Sequence, residues 1–139
     1  MVMKILALDI GESRTGLASS DPMGIAVEPL RTVATSELIN EIRRIVRDES
    51  SIGMLVIGLP KNKDGRESEQ THKVRRVADR ISCELGLKIA FENEVMTSQE
   101  AKCRLKERGV RLREENKGLI DIEAACVILE QFFQHSSCV

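Results

Sequence analysis

The chain has 139 residues and a net charge of −1, with 42% hydrophobic and 31% charged residues. Those proportions predict one soluble globular domain with a single core over residues 1–139. Three Phe and no Trp or Tyr leave little for an aromatic base-stacking platform. The near-neutral total does not advertise a nucleic-acid partner, although it says nothing of where charges cluster. No apolar stretch approaches the ~20 residues that span a bilayer, so no membrane partner is expected. Cys83, Cys103, Cys126 and Cys138 show no C-x-x-C spacing. They read as reduced thiols in a cytoplasmic protein, and a metal, if bound, is expected on oxygen.

In chain order, residues 3–9 read as a buried strand, not as a signal peptide. Residues 14–20 and about 26–34 read as two more, separated by the turn signals Asp21-Pro22 and Met23-Gly24. Pro29 places the third at an edge or a bulge. From Ser36 a helix carries Leu38, Ile39, Ile42, Ile45 and Val46 at the 3.6 period. Residues 54–58 form a continuously apolar strand of the kind buried on both faces of a parallel sheet. After the polar loop "LPKNKDGRES", a helix with Val74, Val77, Ala78 and Ile81 on one side runs to about Leu85 and closes at Gly86. "LKIAFENE" is the fifth strand. Thr97 and Glu100 predict a capping box for a helix reaching Gly109. Residues 110–117 are charged and read as mobile, the last helix covers about 120–134, and the tail from about 135 reads as frayed. Strands followed by alternating helix and strand predict an α/β fold with a mixed sheet.

Four carboxylates fall where such a sheet collects ligands, outside the carboxyl ends of its strands. Asp9 ends the first strand. Glu92 and Glu94 end the fifth, two apart and so on one face, with Asn93 turned away. Asp121 opens the last helix, in line with Ala124, Ala125, Ile128, Leu129 and Phe132. Two alanines in that stripe let the helix backbone approach the sheet. Converging carboxylates repel unless a cation neutralises them, and hard divalent ions favour such oxygen donors. Singly, each has a plainer role open to it: Asp121 as a helix N-cap, Asp9 as a turn former, and Glu92 and Glu94 as solvated edge residues.

The stretches "ALDIGESRTGLASSD", "VIGLPKNKDG", "NEVMTSQEA" and "IDIEAACVILEQFF" resemble, in order and spacing, the YqgF/RuvX-type nucleases of bacteria. The resemblance covers nearly the whole chain. It implies an RNase H-like fold, a five-stranded mixed sheet flanked by helices, with a site that cuts phosphodiesters using Mg²⁺ or Mn²⁺. By the same resemblance Asp9 and Asp121 are metal ligands on the first strand and last helix, and Glu94 is the fifth-strand ligand. The family motif there reads Asp-Glu-Arg-x-Thr-Ser. This chain has Asn93 in place of the Asp and Val95 in place of the Arg. Because Glu94 shares a face with Glu92, the site is expected to survive through it. Arg14 matches the family's R-x-G arginine, followed by Gly16. Lys61, Lys63 and Lys117 are further candidates for phosphate contact, beside Lys73, Arg75, Arg76, Arg80, Arg111 and Arg113, which read otherwise as solvated faces.

The expected partner is structured nucleic acid, with processing of the 5′ end of the 16S ribosomal RNA precursor as the leading function. Resolution of Holliday junctions in branched DNA is the alternative within the family. A catalytically degenerate module binding nucleic acid or a ribosome-assembly partner is the non-enzymatic reading. Sugar-kinase or actin-like ATPases share the core and an Asp-x-Gly turn, but they need two lobes where this chain fills one. Either a monomer or a homodimer is compatible with the sequence.

Overall fold

A computed structural model describes residues 4–21, 26–60, 64–94 and 97–136, apart from the side chains of Glu94, Thr97, Glu114 and Ser136. Strands β1 (Lys4–Ile10), β2 (Arg14–Ser20) and β3 (Val27–Ala34) are followed by α1 (Leu38–Asp48), β4 (Ile52–Pro60), α2 (Glu69–Leu85) and β5 (Lys88–Glu94). Then come α3 (Thr97–Glu107) and α4 (Lys117–Ser136). The sheet order is β3-β2-β1-β4-β5, antiparallel on the β2 and β3 side and parallel where β1, β4 and β5 meet. This is the five-stranded mixed sheet that the sequence predicts.

The period-2 pattern of β1 sorts its side chains between two cores. Leu6, Leu8 and Ile10 join Leu17, Leu55, Ile57 and Leu59 beneath α1 and α2. Ala7, with Ala18 and Val56, faces Ala125, Ile128 and Leu129 of α4. The larger residues thus lie under two amphipathic helices and the small ones under a single helix that comes close. Burying an aliphatic side chain here is worth about 1.5–3 kcal/mol, so each layer contributes substantially.

Pro29 is accommodated twice over. β3 is an edge strand, and its register against β2 slips between Gly16 and Ala18. β4 runs longer than the 54–58 expected, because pairing continues through Leu59 with Asn93 and Pro60 with Glu94. Gly86 does end α2, taking the left-handed conformation (φ 67°) that a side chain disfavours. At the other end of α2, Ser68 and Thr71 form a capping box, and Thr71 Oγ1 also donates to the Pro60 carbonyl. The helix start is thereby tied to the tip of β4.

α4 starts earlier and ends later than its apolar stripe suggests. The charged lead-in contains a 3₁₀ turn at Glu114–Asn116, where the Asn116 side-chain amide donates to the Arg111 carbonyl at 2.6 Å. At its far end α4 remains helical through Ser136. The capping box expected at Thr97 involves a side chain outside the described residues; Glu100 pairs with Arg104, one turn on, at 3.3 Å. Cys83, Cys103 and Cys126 are free thiols, the first two exposed and the third buried. Among the described residues no helix is long and apolar enough to cross a membrane.

Candidate active site

Asp9, partly buried, stands one residue before the end of β1. Since Ala7 faces α4 and Leu8 and Ile10 face the other way, alternation turns Asp9 toward α4. Directly opposite it on β2 is Gly16. A Cβ at Gly16 would lie 2.7 Å from the Ile122 nitrogen and closer still to the carbonyl of Asp121. The backbone of α4 therefore rests on the sheet at Gly16, the residue paired with Asp9, and that contact sets the Asp121 backbone against β2. A second pin holds the helix start: Thr32 Oγ1 on the edge strand donates to the Gly118 carbonyl at 2.8 Å.

Asp121 is the fifth residue of α4, so it is not an N-cap. Its Oδ2 accepts from Arg14 Nε at 3.0 Å. Burial pushes its carboxyl pKa above the usual value, while the hydrogen bond and charge of Arg14 pull the other way. Arg14 opens β2, two residues before Gly16. One short strand segment thus supplies both the seat for the helix and a cation for its carboxylate.

Glu94 is the last residue of β5, across from Pro60. Alternation from Ala90, which packs under α4, sets Glu92 on the same side as Asp9. β4 separates β5 from β1, so the two strands lie about 10 Å apart at ~4.8 Å per interstrand step. Glu92 is buried and accepts from Nδ1 of His135, ~21 Å along α4 from Asp121 at 1.5 Å per residue. Glu92 thus fastens the distal end of the helix.

Lys117, the exposed first residue of α4, lies one turn before Asp121 on the same side of the helix. Lys61 and Lys63 lie outside the described residues. Among the described residues no group of three His, Cys, Asp or Glu side chains is already gathered to hold a metal. The donor chemistry still fits Mg²⁺ or Mn²⁺: Asp9 and a partly desolvated Asp121 offer hard oxygen, with Glu94 at the same edge of the sheet.

α3 packs beside α4 through ions that sequence inspection did not single out. The nearly buried Glu123 accepts from Arg108, and Arg104 reaches Glu130 at 2.7 Å and Glu123 at 3.9 Å. Gly118, Thr32 and the Ser68–Thr71 cap were missed as well. The cap alone left a local signal, a Ser-x-x-Thr before an apolar helical stripe.

The sheet order, the α4 seat and the acidic edge define an α/β protein of the RNase H-like class, with the architecture of junction resolvases. Two solved structures carry that likeness in fold. Thermus thermophilus RuvC bound to a Holliday junction substrate aligns with TM-score 0.55 and 12% identity over 96% of each chain. The fowlpox virus resolvase with Holliday junction DNA aligns with TM-score 0.53 and 14% identity, over 96% of this chain and 98% of that one. The family model described as "RuvX: Holliday junction resolvase" matches residues 3–135, and the chain belongs to that family. Relatives named "Putative pre-16S rRNA nuclease" include one from Synechococcus elongatus, 37% identical over 91% of this chain and 86% of its own. Another, from Lactobacillus johnsonii, is 34% identical over 95% and 96%.

Proposed function

We propose that this protein is a Mg²⁺- or Mn²⁺-dependent phosphodiesterase that cuts structured nucleic acid, and that its substrate is the 5′ end of the 16S ribosomal RNA precursor. The observation that carries the reading is the seat of Asp121 on Gly16, directly across from Asp9. Three carboxylates (Asp9, Glu94 and Asp121) would hold the ions. When bound, the metal supplies an activated water and stabilises charge on the phosphoryl oxygens. Arg14 bonds the Asp121 carboxylate and opposes the burial that favours its protonated form. Lys117, Lys61 and Lys63 would contact phosphates on either side of the cut, positioning the polymer without reading its sequence. The protein would act as one domain in the cytoplasm during ribosome assembly, as a monomer or homodimer. The names of the relatives support the RNA substrate.

The test is cleavage by purified protein of a 5′-extended 16S precursor fragment and of a four-way DNA junction. RNA is expected to be cut faster, chelation to stop the reaction, and Asp9→Asn to cost at least about a hundredfold in rate. Wild-type activity in Asp9→Asn would remove Asp9 from the mechanism, and preferential cutting of the junction would replace RNA by branched DNA. Asn93 and Val95, which depart from the family motif, favour a second reading as a binding module. Tight RNA binding without cleavage under any divalent ion would establish it.

A further inference from the structure

On the face of the sheet away from α4, a cleft of about 520 Å³ opens between the β1–β2 turn and α2. That volume is typical of ligand pockets, ~300–1,000 Å³. Its floor is apolar, made by Ile10, Val74 and Val77, and its wall is cationic, made by Lys73, Arg76 and Arg80. The three cations recur at i, i+3 and i+7, which gathers them along one side of the helix.

These cations differ from the others on α2. Arg75, between them in sequence, is engaged elsewhere, with its guanidinium 5.3 Å from the Phe91 ring centroid and Nε 2.6 Å from Glu67. Lys73 neutralises Glu12, the acid at the mouth of the cleft, at 3.2 Å. Arg80 meets Glu84 only at 3.4 Å. Arg76 is exposed and pairs with no carboxylate among the described side chains. The cleft therefore offers surplus positive charge above an apolar floor.

We infer that this cleft is a subsite for a nucleotide of the substrate strand flanking the cut, with sugar and base against Ile10, Val74 and Val77 and phosphates on Arg76 and Arg80. The inference rests on the nuclease reading above. Ile10 and Gly11, which line the cleft, directly follow Asp9. The carboxylates and the cleft thus lie on two sides of one strand tip, ~3–7 Å of chain apart, a distance one or two nucleotides span. The cations extend ~10 Å along α2, at 1.5 Å per residue, more than one phosphate occupies. Beyond Arg80 a smaller hollow of about 170 Å³ continues the trough past Ser36 and Asn40. A polymer matches that length better than a free mononucleotide. With no Trp or Tyr in the chain, the aliphatic floor takes the part that a stacking ring plays in other strand binders.

The test measures binding of a fluorescent 5′-extended 16S precursor hairpin to Asp9→Asn protein, with and without Arg76→Ala/Arg80→Ala. The control is Arg44→Ala/Arg47→Ala, an equal charge loss on α1. The cleft pair is expected to weaken binding about tenfold near 0.1 M salt and to reduce the salt slope by ~1.5, two phosphate contacts at ~0.7–0.9 each. The control pair is expected to leave both unchanged. Equal behaviour of the two pairs, in a protein that binds and cuts RNA, overturns the subsite and leaves the nuclease reading standing. Saturable 5′-AMP binding that is lost in the cleft pair while RNA affinity holds also overturns it, in favour of a detached nucleotide. Neither binding nor cleavage of RNA or junction DNA by the unmutated protein overturns both.

Discussion

Arg14 Nε donates to Asp121 Oδ2 at 3.0 Å, joining side chains 107 positions apart in sequence. Burial raises the Asp121 pKa and Arg14 opposes that rise. Removing the guanidinium in Arg14→Gln leaves burial unopposed, so the carboxyl keeps its proton to higher pH. The acidic limb of the cleavage pH profile is expected to move up, with Arg14→Lys lying between. A limb that stays in place in Arg14→Gln would show that ionisation of Asp121 does not limit the reaction.

Gly16→Ala tests the seat of α4. The new methyl would meet helix backbone, which cannot swing aside as a side-chain tip can. Overpacking of this kind costs about 1–3 kcal/mol, and a shift of ~1 Å in a catalytic group can cost ~10²-fold in rate. Both a lower urea midpoint and a loss of cleavage are expected. A fully active, equally stable variant would mean that the helix does not need this close approach.

Among the described residues, Arg108→Ala removes the closer of two cations from Glu123, leaving Arg104 at 3.9 Å. A hydrogen bond to a charged group is worth ~1.5–3 kcal/mol, and the half-exposed arginine puts the expected loss toward the lower end. Denaturant unfolding would read it. Glu123→Gln, which retains an acceptor without charge, is expected to lose less than Glu123→Ala.

Cys126 carries a thiol pushed up to about 12 from 9.0, first by burial and then by Glu123 and Glu130. The native thiol stays protonated where the unfolded one ionises, so the native state binds the extra proton. The stability it contributes is whole below pH 9 and is lost as the pH climbs toward about 12. At pH 8–9, alkylation is expected to mark Cys83 and Cys103 in native protein and to reach Cys126 only after unfolding. Labelling of native Cys126 at the rate of Cys83 would contradict its burial.

Much of this was legible locally. The alternation of β1 placed Asp9, the 3.6 stripe of α4 placed Asp121, and Gly86 marked the end of α2. What the sequence hid were pairings between distant segments. Nothing near Gly118 announces that Thr32, 86 residues away, will donate to its carbonyl, yet that bond pins the start of α4. Glu92 looked like a companion of Glu94 because strand geometry put both on one face. Glu92 also meets His135, near the far end of α4, a pairing that no local pattern announces. β4 outran its apolar core because the neighbouring strands kept pairing with it.

α4 supplies one half-core through Ala125, Ile128 and Leu129 and carries Asp121 on the same rod. A denaturant cannot loosen the carboxylate while sparing that layer, nor peel away the layer and leave the carboxylate in position. Loss of catalysis and loss of tertiary structure should therefore trace a single superimposable curve, with no folded but idle species between.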